Sequence, residues 1–535
     1  MSYTRSPILL KHFPHALISA IVILGIGQFV IATSMGIGLS PDSAQYISGA
    51  RCLLRGDGFS FPAGDGTPIP ISLWPPMYSL VLAIPMALGV NEFTAARWLG
   101  GILYALNILL VYHLLVRATK GSRYAGLMGA SFFLVSKDIL LIHTWAWSEA
   151  LFLSLGLSGL YICIRYLEDQ KRRDYVFSAG LLAAASLTRY PGLAFLASAS
   201  IVLFFFLNST LKERFQKAAL FLFMGIFPTI LWITRILIVS GSASNRSFDD
   251  RGISLQDIKS TLHVMTLWFI PGRFERAWSL YSTVLGVSCL FLLAIFWVFR
   301  YRKVRSKAVL RDSLAMLVVT AIAYTGIVVF AKAFVKPDFA LADPRFLAPI
   351  LVFIIMIGVL CGYESLRWLQ DWIQTQARIL PTPRLLSLNH FVTLIVFAYF
   401  CSFNVFHLVK WIDRRAERGQ GYASVSWQNS EIMNHLEMLP EGTTLYSNGY
   451  DVIALLLNHP VYRIPLKLHA NPERREVDYD REILAMAERL REDQGFLVYF
   501  TGITWRRMMT KEDILETTEL VPMWTTNDGV IYTFP

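Results

Sequence analysis

Four charged residues of this chain stand at the ends of apolar runs, where a charge has to have a reason. Asp42 lies in Ser40-Pro41-Asp42-Ser43-Ala44-Gln45-Tyr46, directly after the first apolar segment. A carboxylate at a membrane boundary is costly unless it has a task, and taking a proton from a hydroxyl is one such task. The simpler reading is a helix cap, by Ser40 or by Asp42 itself. Glu149 opens another apolar run in Trp147-Ser148-Glu149-Ala150-Leu151-Phe152, where it is also an ordinary partner of the helix dipole. Arg189, in Leu187-Thr188-Arg189-Tyr190-Pro191-Gly192, and Arg345, in Asp343-Pro344-Arg345-Phe346-Leu347-Ala348-Pro349, are the two basic counterparts. An arginine at such a boundary can grip a phosphate through two parallel hydrogen bonds, or it can snorkel to lipid headgroups. Tyr46 falls one helical turn after Asp42, on the same face. His143 reads as a structural histidine.

The elements that must position these groups are membrane helices. The chain is 54% hydrophobic and only 16% charged, against about a quarter charged in soluble domains, and its mean hydropathy is +0.47. Apolar runs long enough to span a bilayer recur from residue 15 to residue 409. The first, Ala16 to Met35, reads as a retained helix and not a removed signal. The net charge of +11 is not a nucleic-acid signature. About 13 Lys and Arg stand against 19 Asp and Glu after Trp411, and about 36 against 19 before it. The basic excess sits in short connections between apolar runs, which are therefore cytoplasmic. About eleven spans result, with a long outer loop at residues 38–93. That loop is predicted to hold a surface helix from Ser43 to Leu54, stopped at Gly56-Asp57-Gly58. An irregular stretch with five prolines follows over residues 62–76, and Pro76 to Leu88 is re-entrant or interfacial, too short to span. The third span runs outward to about Ser136, two short helices flank Thr188 to Gly192 on the outer side, residues 241–278 and Lys336 to Arg345 are outer loops, and Arg300 to Arg305 and residues 364–387 are inner ones.

Residues 411–535 alternate strand and helix patterns and predict a small α/β domain on the outer side. The strands are 442–447, 461–464, 496–501 and 529–534, and the helices 451–458 and 476–494. Five cysteines, four of them in apolar runs, form neither a disulfide framework nor a zinc spacing. Gly56-Asp57-Gly58 does not follow a strand and lacks a phosphate-binding lysine, so it is no nucleotide loop.

The Ser40–Tyr46 segment, the Trp74-Pro75-Pro76-Met77-Tyr78 motif and the Arg189 and Arg345 motifs, in this order and on one face, resemble the GT-C glycosyltransferases. They resemble most the bacterial branch related to protein O-mannosyltransferases and lipid A aminoarabinose transferases. The resemblance implies a polytopic helical membrane domain over residues 1–410 and an inverting transfer of sugar from a polyprenyl-phosphate donor. The acceptor would be a lipid, glycan or protein of the cell envelope, met on the periplasmic face of the inner membrane. It implies Asp42 as catalytic base and Arg189 and Arg345 as donor-phosphate ligands. Glu149 would orient the acceptor, or help to hold a divalent metal if there is one. Tyr46 and Trp74 would contact the substrate, Trp74 by stacking on a sugar ring. In that branch a lysine precedes the Pro-Pro pair, where this chain has Trp74, and a second acidic residue often follows the first carboxylate, where it has Ser43. The rival from another class is a transporter or lipid flippase, but such proteins often show repeat symmetry and polar sites at the midplane, whereas here the polar residues gather at one face.

Overall fold

The computed structural model describes residues 7–241, 252–271, 277–335, 339–376, 382–440, 442–466, 479–504, 508 and 510–535. Helix α1 (Pro7–Ala32) carries the first apolar run. Helix α2 (Pro41–Arg55) is the surface helix. Ser40 is extended, its hydroxyl accepts from the Ser43 N–H, and Ser43 returns the bond to the Ser40 N–H. This reciprocal cap, with Pro41 just inside, satisfies the first turn and leaves the Asp42 carboxylate out of the capping. Gly56 ends the helix at φ +90, a left-handed conformation that favours glycine.

The proline-rich stretch is less irregular than its composition suggests. Strands β1 (Ser60–Pro62) and β2 (Pro68–Pro70) pair antiparallel, Ser60 opposite Pro70 and Pro62 opposite Pro68. Proline is tolerated there because a two-stranded ribbon has outward edges that need no donor. Helix α3 (Met77–Ala87) has 11 residues, too short to cross. Helix α4 (Glu92–Ala118) then spans. The single span expected before Ser136 is instead a broken pair, α5 (Arg123–Leu134) and α6 (Lys137–His143), bent by 72°. The break falls at the polar run Ser136-Lys137-Asp138, where the Ser136 hydroxyl turns back to the Phe132 carbonyl at 2.6 Å.

Helix α7 (Glu149–Asp169) is followed by α8 (Arg172–Thr188) and α9 (Gly192–Phe206), two short helices on either side of Arg189 and Pro191. Next come α10 (Leu211–Ser240), α11 (Leu255–Leu267), α12 (Ala277–Arg300), α13 (Ala308–Phe334), α14 (Pro344–Gln376) and α15 (Thr382–Arg418). Helix α11 lies within what reads as an outer loop. Helix α14 runs well past residue 364, where an inner loop was expected. Glu364 is buried and accepts a hydrogen bond from the Tyr301 hydroxyl at 2.7 Å, with Lys307 beside it, so its charge need not end the helix. Among the described residues seven helices are long and apolar enough to span, and the α5–α6 pair makes an eighth. The other expected spans fall on α8, α9 and α15. In α14 78% of the apolar window is buried, against 17% in α10 and α12; α14 is the central post of the bundle, and the other two face outward.

The C-terminal region adds α16 (Val425–Gln428), α17 (Glu431–Glu437), β3 (Leu445–Ser447), α18 (Tyr450–Leu456), β4 (Tyr462–Arg463), α19 (Tyr479–Glu492), β5 (Phe496–Phe500), α20 (Lys511–Thr517), β6 (Val521–Thr525) and β7 (Gly529–Thr533). The sheet order is β4-β3-β5-β7-β6, parallel across β4-β3-β5 and antiparallel beyond. The edge strand β6 was not foreseen: Pro522 interrupts its pattern, and most of it is exposed. The expected helix start at Glu476 lies outside the described residues. One apolar core runs from the membrane helices into Ile432, Val452, Val498 and Ile531, and a second, around Ile483, Leu490 and Leu497, lies on the other face of the sheet.

Candidate functional site

Three chain segments are stitched together where α1 ends. The Gly38 N–H bonds the Thr144 carbonyl and the Ala146 N–H returns to Gly38, both at 2.9 Å. The Tyr422 N–H bonds the Leu39 carbonyl, also at 2.9 Å. The segment leading into Asp42 is thereby held between the turn before α7 and the segment after α15. Helix α18 reinforces this joint, because the Arg51 guanidinium on α2 donates to the Ala454 and Leu455 carbonyls at 3.1 and 2.9 Å.

Asp42, Glu149, Arg189 and Arg345 meet there in one ion network. The Arg345 Nη2 lies 2.6 Å from the Asp42 Oδ2, and its Nε donates to the Glu149 Oε1, also at 2.6 Å. Arg189 pairs with the same Glu149 oxygen. Four elements therefore deliver one charge each: α2, the start of α7, the end of α8 and the start of α14. The Arg345 guanidinium lies over the Trp147 ring at 4.2 Å, and Trp147 in turn donates to the Ser40 hydroxyl at 2.8 Å and stacks on Trp145 at 4.5 Å. The Arg345 N–H donates to Asp343 at 2.9 Å, and burial pushes the Asp343 carboxyl above the ordinary carboxylate range.

The accessibility of the four groups separates their roles. The Glu149 side chain is 1% exposed and Asp42 24%. Glu149 is buried and holds two guanidiniums through one oxygen, while its Oε2 is buried with no hydrogen-bond partner among the described residues. Asp42 is the carboxylate that a reactant can reach. Two carboxylates interleaved with two guanidiniums suit an anion and not a divalent cation, since a metal would face both arginines at short range. Among the described residues no group of three or more His, Cys, Asp or Glu gathers.

Tyr46 and Trp74, the two expected substrate contacts, both pack against protein neighbours. The buried Tyr46 hydroxyl shares a hydrogen bond with the Ser148 Oγ at 2.9 Å, and its ring meets Tyr78 edge-on at 5.0 Å. It forms the wall behind the network. Trp74 is half-buried and packs on the cluster of Phe59, Phe61, Ile71 and Ala454. His143 is buried between the Asn107 amide at 2.9 Å and the Ile139 carbonyl at 2.7 Å. Sequence reading missed Trp147 and Ser148, although both adjoin Glu149. It also missed Tyr422, which donates to the buried Asp451 at 2.7 Å. Burial, with Asp42 in the neighbourhood, raises the Asp451 carboxyl above its ordinary range.

Residues 74–232 match the profile of the dolichyl-phosphate-mannose-protein mannosyltransferase family. The crystal structure of ArnT from Cupriavidus metallidurans bound to undecaprenyl phosphate superposes with a TM-score of 0.57 at 12% identity, covering 96% of this chain and 97% of that one. The chain has the GT-C fold. That fold extends to AglB, the archaeal oligosaccharyltransferase from Archaeoglobus fulgidus in complex with an inhibitory peptide and a dolichol-phosphate (TM-score 0.50, 11% identity, 92% of this chain and 70% of that one). It extends also to the arabinofuranosyltransferase AftD from Mycobacteria (0.52, 15%, 96% and 39%). Among curated protein sequences there is no significant match. The helical bundle described above is the membrane part of that fold.

Proposed function

We propose that this chain moves a sugar from a polyprenyl-phosphate donor to an envelope acceptor (a lipid, a glycan or a protein), inverting the anomeric carbon, on the periplasmic face of the inner membrane. The observation that carries this reading is Arg345 bridging Asp42 and Glu149. The donor phosphate competes with Asp42 for the Arg345 guanidinium. Once phosphate takes its place, Asp42 is released as a base beside the site where the sugar sits. The acceptor hydroxyl gives its proton to Asp42 while its oxygen bonds to the anomeric carbon from the face opposite the phosphate. The bond from that carbon to the phosphate oxygen breaks, and its electron pair leaves with the lipid phosphate. Arg189 and Arg345 neutralise the charge that develops there. Glu149 fixes both arginines beforehand, so that no reorganisation is needed during the step. The long-chain lipid phosphates in the ArnT and AglB structures support a donor of this class.

The test is release of polyprenyl phosphate from a polyprenyl-phosphate sugar by purified protein with envelope extract as acceptor. Loss of a general base costs roughly a hundredfold to ten-thousandfold in rate. Asp42→Asn should lose turnover by that factor with its thermal transition unchanged. Near-normal turnover would remove Asp42 from the chemistry.

A further inference from the structure

A second group of cations lies apart from the ion network. A cavity of about 440 Å³ opens between α6, α11, α14 and the outer half of α15, and Lys137, Arg414, Arg415 and Arg418 line it. Asp138 is the one carboxylate among its described lining residues, and it is already engaged by the Trp268 indole N–H at 2.8 Å and by Lys137 at 3.2 Å. Three arginines therefore remain uncompensated within the described lining. The Arg415 Nε is buried with no hydrogen-bond partner, and its guanidinium lies over the Trp411 ring at 5.5 Å. A buried guanidinium N–H without an acceptor is expensive, so this one is placed for an acceptor from outside the chain.

The cavity has a floor as well as a head. Phe400 lines it and also lines a second cavity of about 890 Å³ between α5, α12 and α14, walled by Phe132, Leu290, Ile354 and Val359 and, at its far end, by Arg367 and Asp371. Cations at one end and the apolar side chains Leu351, Phe400 and Phe403 below them are the complement of an amphiphile. None of Asp42, Glu149, Arg189 and Arg345 lines either cavity.

We propose that this seam binds an anionic phosphate-bearing lipid, its phosphate held by Arg414, Arg415 and Arg418 and its chain lying along Phe403 and Leu351 toward Phe400. The site stands whether or not the transferase reading holds. Basic pockets between membrane helices commonly recognise anionic headgroups, and arginine supplies the forked donors that phosphate takes up.

Delipidated protein in detergent, followed by native mass spectrometry, tests this with three probes: dioleoylphosphatidylglycerol, dioleoylphosphatidylcholine and inorganic phosphate. Wild type should hold the glycerol lipid at least about tenfold tighter than the choline lipid, and inorganic phosphate should not displace it at millimolar concentration. The double variant Arg414→Gln/Arg415→Gln should lose most of that preference, and Lys137→Gln/Arg418→Gln serves the same purpose if the first fails to fold. Arg345→Ala should retain it. Equal retention of the two lipids, wild-type affinity in both double variants, or loss of binding in Arg345→Ala would each overturn the proposal. Displacement by inorganic phosphate would reassign the seam to free anions.

Discussion

Replacing Arg345 by lysine isolates what the guanidinium fork contributes. Arg345 uses two separate nitrogens, Nε toward Glu149 and Nη2 toward Asp42, each at 2.6 Å, and its guanidinium lies over the Trp147 ring at 4.2 Å. A lysine brings one compact ammonium that can stay with Glu149 or turn to a phosphate but cannot present two parallel donors. The loss is about one hydrogen bond to a charged group, roughly 1.5–3 kcal/mol. At 1.4 kcal/mol per tenfold this corresponds to an affinity for lipid phosphate weaker by about 10- to 150-fold. Arg345→Ala should weaken it further, because Glu149 then keeps only Arg189. The assay is a titration of detergent-solubilised protein with undecaprenyl phosphate, with thermal unfolding as a control for folding. An arginine that merely snorkels is replaced by lysine without loss. Equal affinities for wild type and Arg345→Lys would therefore refute the phosphate role.

Four further outcomes follow from the geometry. Asp42→Asn removes the group that competes for Arg345, so lipid-phosphate binding should tighten, by up to about fivefold given the ~1 kcal/mol ceiling for a partly exposed ion pair; weaker binding in the same titration would contradict the competition. Gly421→Ala should lower the thermal transition, since a Cβ there would lie 1.9 Å from the Leu39 carbonyl at φ +57, a strain of roughly 1–3 kcal/mol or more; an unchanged transition would mean that the joint is soft. The raised Asp451 carboxyl binds its proton more strongly in the folded chain than in the unfolded one. Its contribution to stability is therefore lost as pH rises above about 4 and through the raised value, and Asp451→Asn should flatten this part of a melting profile. The proposed periplasmic placement of the network predicts that a cysteine at Asn527 labels with an impermeant reagent in spheroplasts and one at Ser306 does not; the reverse would invert the orientation.

The sequence signals that survived folding are local ones. The Ser40 cap, the Gly56 stop and the short helices around Arg189 are each set by a few neighbouring residues, and they stand where the pattern puts them. The charges at helix ends were legible for the same reason: only a partner or a task keeps a charge at that depth. What joins them was not. Glu149 serves two arginines that lie 40 and 196 positions away along the chain, and nothing near it says whether it faces an acceptor or braces guanidiniums. Tyr422 and Asp451 reach the neighbourhood of Asp42 only because a backbone bridge at Leu39 brings the segment after α15 there. The α5–α6 bend was hidden because an apolar count averages across the Ser136-Lys137-Asp138 break. Helix α14 outran its expected end because the partners of Glu364 are on other elements.

The most direct test is a structure of this protein with undecaprenyl phosphate bound. The account predicts the phosphate between the Arg189 and Arg345 guanidiniums, the 2.6 Å contact between Arg345 and Asp42 opened, and Glu149 still holding both arginines. A phosphate bound elsewhere, with the Arg345–Asp42 pair intact, would contradict it.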